Sequence, residues 1–188
     1  LKGDSAIGQL GLPMLVFSLA TCVAFAEQMR TYRSENRTLS RLGRSVLAMA
    51  YAGLLMSFFV SLRFFGDNPL GFVALASLII VVKLSDIGAY TVGRICGGRF
   101  FGRARLAPIL SPKKTIEGCA GGVLFGCIGS YASLVWLGPL VVGEVFHVPP
   151  WWAWLTYGIV LTITGMFGDL AESLLKREAG AKDSSRWL

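Results

Sequence analysis

Four uncharged stretches constrain this chain more than anything else in it. Ser5–Ala26 runs 22 residues without a formal charge, Ser45–Leu62 runs 18, Gly118–Gly143 runs 26 and Val145–Gly168 runs 24. A helix needs about 20 predominantly apolar residues to cross the hydrocarbon core of a bilayer. Leu70–Val92 is a fifth candidate, apolar except for Lys83 and Asp86 near its C-terminal end. Charged residues make up only 15% of the chain, against about 25% in a soluble domain. A soluble enzyme, a disordered tail and a secreted disulfide scaffold are thereby excluded. The expected fold is all-α, a polytopic transmembrane helical bundle of about five spans in one integral-membrane domain. The spans are placed at residues 5–26, 45–65, 70–92, 118–143 and 149–168, with 27–44, 93–117 and 169–188 as connecting loops and tail.

The chain opens on Leu1 and closes on Leu188 directly after a charged, motif-like stretch, and it reads as a piece of a longer protein. No basic n-region followed by a small-residue cleavage site marks a signal peptide. Five spans alternate their connections between two sides. One side collects Arg30, Arg33, Arg37, Arg41, Arg44, Arg94, Arg99, Arg103, Arg105, Lys113, Lys114, Lys176, Arg177, Lys182 and Arg186, which is 15 of the 18 basic residues. The other side holds Lys2, the turn Gly66-Asp67-Asn68-Pro69, and Gly143–Pro150. The positive-inside rule puts the basic side in the cytoplasm.

Several residues carry packing rather than chemistry. Gly118, Gly122 and Gly126 recur at every fourth position, a smooth face that lets another helix approach closely. Pro13 is expected to kink or start its helix, and Trp151, Trp152 and Trp154 sit where an interfacial aromatic belt belongs. No Walker-type glycine loop and no C-x-x-C pair occurs, so the four cysteines indicate neither a zinc site nor a redox motif. His147, the only histidine, reads as a polar boundary residue.

Three polar clusters remain, all at the basic boundary. The first is Lys83–Tyr90, where Asp86 and Lys83 are expensive at membrane depth and are either functional or a local pair. The second is Ser111–Gly118. Lysine, serine and threonine before a helix start can hold phosphate, while the same hydroxyls can simply cap the helix. The third is Gly168–Ser185. Asp169, Glu172 or Ser173, and Lys176 share a face if the last helix continues, and Glu172–Lys176 can equally be an ordinary i,i+4 pair. A carboxylate at the bilayer edge suits Mg²⁺, which completes its shell with water and substrate phosphates. Together the clusters point to a site for a phosphorylated ligand and a divalent cation.

These clusters resemble a known family. Ser173-Leu174-Leu175-Lys176-Arg177, followed by Lys182-Asp183, is similar to the S-x-x-K-R-x-x-x-x-K-D pattern of the phosphatidate cytidylyltransferases, the CDP-diacylglycerol synthases. Gly168-Asp169…Glu172-Ser173, Ser111-Pro112-x-Lys114-Thr115…Glu117-Gly118 and Ser85-Asp86…Gly88-Ala89-Tyr90 resemble the same family in the same order. In that family the signature continues into a glycine-rich turn and paired aspartates, a half that this chain does not include. The resemblance implies that CTP and phosphatidate give CDP-diacylglycerol and pyrophosphate, with Mg²⁺ required. It implies Asp169 as the metal ligand and Asp86, Glu117, Glu172 and Asp183 as supporting carboxylates. Lys114, Lys176, Arg177 and Lys182 would hold phosphates, with Ser111, Thr115 and Ser173 nearby. It further implies membrane-lipid partners, a bacterial inner-membrane location with the site facing the cytoplasm, and no nucleic-acid partner; a homodimer is compatible with it.

Two other functions fit a basic membrane face. A CTP-dependent kinase of a polyprenol or other lipid would transfer the γ-phosphoryl group and release CDP. A secondary transporter would show repeated halves and polar groups at the midplane. No internal repeat is visible here, and the charges gather at one face.

Overall fold

The computed structural model describes residues 6–30, 32, 38–66, 68–99, 105–107 and 111–178. Five helical runs are long and apolar enough to cross a membrane: Gly11–Arg30, Thr38–Arg63, Pro69–Cys96, Ile116–Val145 and Trp151–Arg177. The protein is therefore an all-α polytopic membrane protein. The chain divides into two compact units, Leu1–Leu75 and Ala76–Leu188.

In the first unit, α1 (Ala6–Arg30) packs with α2 (Thr38–Met49) and α3 (Leu55–Arg63). α2 and α3 are joined without a break by a π-helical turn at Ala50–Leu54. Pro13 lies inside α1, where it borders an apolar groove of about 360 Å³ with Met49, Gly53 and Leu54. The helix that carries the second expected span starts at Thr38, ahead of residue 45. Arg41 and Arg44 do not stop it, because arginine is a good helix former and both side chains remain exposed.

The second unit contains most of α4 (Asn68–Cys96), then α5 (Ile116–Tyr131), α6 (Gly138–Val142) and α7 (Trp151–Glu178). A π-helical stretch, Ala132–Leu137, links α5 to α6. The connection between α4 and α5 falls in the expected loop 93–117. It holds an antiparallel ribbon of β1 (Arg105–Ala107) and β2 (Ser111–Thr115), with Arg105 opposite Thr115 and Ala107 opposite Ser111. The last helix continues into the expected tail, as α7 runs on to Glu178. Leu170, Ala171, Glu172, Leu174, Leu175, Lys176 and Arg177 all favour helix, and the Glu172–Lys176 pair closes at 2.5 Å across one turn.

Packing in this unit is inverted relative to a water-soluble protein. Its most buried side chains include Ser77, Ser130, Ser133 and Thr162, whereas Leu124, Ile128, Val160 and Phe167 are exposed. In lipid, large apolar groups gain nothing from being inside, and close approach through small residues becomes the source of cohesion. A Cβ on Gly88 would fall 2.6 Å from the Gly121 carbonyl oxygen, and one on Gly126 would fall 2.0 Å from Thr162 Oγ1. α5 is thus wedged by its glycines against α4 on one side and α7 on the other. Hydrogen bonds fasten the same contacts. Ser77 Oγ and Tyr157 Oη are 2.8 Å apart, and Ser130 Oγ donates to the Trp154 carbonyl at 2.6 Å.

Candidate active site

Asp86 and Asp169 lie within α4 and α7, and the Ser111–Gly118 cluster leads into the start of α5. α4 terminates in a turn at Gly97–Arg99, where Gly98 takes φ +86°, a conformation that disfavours any side chain. The Gly98 N–H donates to Glu117 Oε1 at 3.1 Å. Glu117 is buried in the first turn of α5, so it ties the end of α4 to the start of α5. Thr115 is the N-cap of α5, its Oγ1 accepting from the Gly118 N–H at 3.1 Å. That bond uses an oxygen lone pair and leaves the hydroxyl proton available.

α4, β2, the start of α5 and α7 line a cavity of about 440 Å³. α4 contributes Asp86, Tyr90 and Arg94, β2 contributes Lys114 and Thr115, and α7 contributes Asp169. Ala89, Leu106, Cys119 and Met166 supply apolar wall. The Lys114 ammonium is ion-paired with Asp169 Oδ2. Lys83 and Asp86 do not pair with one another. Asp86 lies 17 residues beyond Pro69 and Asp169 lies 18 beyond Trp151. At 1.5 Å per residue these are about 26 and 27 Å along their helices, which puts both carboxylates near the far edge of a hydrocarbon layer about 30 Å thick.

Of the residues expected from sequence, Asp86, Lys114, Thr115 and Asp169 line this cavity together. Ser111, Glu117, Glu172, Ser173, Lys176 and Arg177 are not among its lining residues. Ser111 sits at the start of β2 opposite Ala107, and Glu172 is paired with Lys176 one turn beyond Asp169. Ser173 is half-buried and Arg177 is exposed on the last turns of α7. Lys182 and Asp183 lie outside the described residues. Arg94, in the sequence one of the basic residues that set topology, lines the cavity, and Tyr90 of the first polar cluster accompanies it. Their i,i+4 spacing with Asp86 was the available clue.

The profile of the Cytidylyltransferase family matches residues 5–188. This chain belongs to the cytidylyltransferase family. Curated relatives named phosphatidate cytidylyltransferase include one from Brucella suis biovar 1 (strain 1330), 38% identical over 146 residues, or 78% of this chain and 48% of the relative. Another, from Staphylococcus haemolyticus (strain JCSC1435), is 36% identical over 143 residues, 76% of this chain and 48% of its own. A third, from Chlamydia muridarum (strain MoPn / Nigg), is 33% identical over 162 residues, 82% of this chain and 50% of its own. The chain thus spans about half the length of the curated relatives it matches. No solved structure matches it. For a cytidylyltransferase-family member, a cavity that joins carboxylates, a lysine and a helix N-cap at the membrane edge has the chemistry expected of a polyphosphate site.

Proposed function

We propose that this chain carries the reaction centre of a phosphatidate cytidylyltransferase, which transfers the cytidylyl group of CTP to phosphatidate. The observation that carries the reading is the single cavity in which Asp86, Asp169 and Lys114 converge at one end of three long apolar helices. The names of the bacterial relatives support it.

In this reaction an oxygen of the phosphatidate phosphate attacks the α-phosphorus of CTP. A new P–O–P bridge forms, the bond from the α-phosphorus to the next bridging oxygen breaks, and pyrophosphate leaves with the electron pair. The attacking phosphate monoester is already ionised at neutral pH, so no strong general base is needed. The barrier lies in holding two polyanions in line, and positioning with charge stabilisation supplies the rate. Lys114 offers the ammonium and Thr115 the hydroxyl proton. The apolar wall from Ala89 to Met166 admits the glycerol end of a lipid whose chains stay in the bilayer.

The donor set also fits a divalent cation. Mg²⁺ is commonly held by one or two carboxylates and substrate phosphates, and Asp86 and Asp169 are hard oxygen donors on one cavity. Those two residues would hold it, and when bound it would neutralise phosphate charge. Lys114 serves as the resident counter-charge of Asp169. The asymmetry of basic residues supports a site that faces the cytoplasm, and the bacterial relatives support an inner-membrane location.

The test is a product balance. The full-length protein in vesicles containing phosphatidate is given CTP labelled at the α-phosphorus, together with Mg²⁺. Label should enter the lipid with one pyrophosphate released per lipid formed. Release of labelled CDP with phosphorylation of the lipid would instead make the protein a lipid kinase.

A further inference from the structure

We propose that Arg94 is a phosphate-binding residue of this cavity, steadied by Tyr90 and directed at the phosphates that depart as pyrophosphate. The inference rests on the cytidylyl-transfer reading and adds a substrate contact to it. Asp86, Tyr90 and Arg94 follow at intervals of four on α4 and so share one face, and all three line the cavity. From Asp86 to Arg94 the backbone rises about 12 Å along the helix axis, room for linked phosphates to lie along that face.

Lys114 and Arg94 are the cations lining the cavity among the described residues, and they differ in one respect. Lys114 is against Asp169. Arg94 meets no carboxylate among the described residues; its Nη1 donates to the Tyr90 hydroxyl at 3.0 Å. A phenol oxygen orients a guanidinium without cancelling its charge. The remaining N–H groups of the planar fork stay free to take phosphate oxygens in pairs. Arg94 also occupies the last turn of α4, where the helix dipole favours a cation whatever its function. The cavity and the tyrosine single it out beyond that.

Position divides the work between the two cations. Lys114 stands against Asp169 and belongs with the phosphorus under attack. Arg94 is displaced toward the end of α4 and belongs with the phosphates beyond it. When the bond to the bridging oxygen breaks, the electron pair and the added negative charge go to pyrophosphate, where Arg94 stabilises them.

Inorganic pyrophosphate is therefore the direct probe. It is titrated, with Mg²⁺ present, into the full-length protein in phosphatidylcholine nanodiscs, and CMP is titrated in parallel. Arg94→Gln should weaken pyrophosphate binding about 10- to 100-fold, the range for losing a charged hydrogen-bond partner. Arg94→Lys should weaken it less, and Tyr90→Phe less again. CMP, which lacks the departing phosphates, should bind all four proteins alike. In turnover, Arg94→Gln should raise KM for CTP and leave KM for phosphatidate unchanged. Pyrophosphate binding that is undetectable in wild type, or equal in wild type and Arg94→Gln, overturns the proposal. So does equal loss of CMP and pyrophosphate affinity, which would mean a structural role. Arg94-dependent pyrophosphate binding in a protein that makes no CDP-diacylglycerol would keep this assignment and remove the reaction.

Discussion

Asp169 and Lys114 come from elements far apart in the chain, α7 and β2, and meet as an ion pair open to solvent on the aspartate side, where 57% of the side chain is exposed. Exposed pairs contribute little to stability, about 0–1 kcal/mol. Function and stability should therefore separate at these residues. Asp169→Asn is expected to abolish CDP-diacylglycerol formation while moving the unfolding free energy by less than about 1 kcal/mol. Lys114→Met should behave likewise. Lys83→Met, on an exposed residue that does not line the cavity, should leave activity near normal. Product formation and a denaturation curve on each variant check all three. Asp86, Lys114, Thr115 and Asp169 were legible in the sequence because a charge or a cap at a span boundary needs a reason. Arg94 was not, since a cation in the last turn of a helix on the basic side is already explained by topology.

Among the elements, α5 sets the spacing of the second unit. Gly118, Gly122 and Gly126 announce a smooth face through their period alone, and the structure lays that face against α4 and α7. The crossing at Gly88 and Gly121 could not be read the same way. It depends on the register between two helices, which no local pattern encodes. A Cβ on Gly121 would stand 2.4 Å from Val92 Cβ and 2.8 Å from the Gly88 carbonyl oxygen. Gly121→Ala should thus push α4 from α5 and destabilise the protein by about 1–3 kcal/mol, the range for overpacking. Gly168 has nothing within 4 Å of such a Cβ, so Gly168→Ala should be neutral or stabilising by up to about 1 kcal/mol through helix propensity. Thermal unfolding in detergent compares the two. The ribbon of β1 and β2 was illegible for another reason. Its strands of three and five residues are too short and too basic to show an alternating pattern.

At the scale of the whole molecule, the fold class followed from uncharged length, because lipid demands little else of a spanning helix. Orientation follows from charge, and it can be measured within one unit. Arg99 and Glu144 are both exposed, Arg99 just past the end of Pro69–Cys96 and Glu144 in the last turn of Ile116–Val145, at opposite ends of the spanning helices. Arg99→Cys and Glu144→Cys, each in a cysteine-free background, should label from opposite faces of sealed vesicles; labelling from one face would overturn the five-span topology. The depth of the cavity, about 26–27 Å along helices that start at the other interface, also bears on how a rate must be expressed. In the proposed reaction, a site at that level meets CTP from a volume and phosphatidate from a surface. Its saturation should follow CTP as a molar concentration but phosphatidate as a mole fraction of the membrane. Adding inert lipid at constant total phosphatidate should then slow the reaction, although nothing in the bulk solution has been diluted.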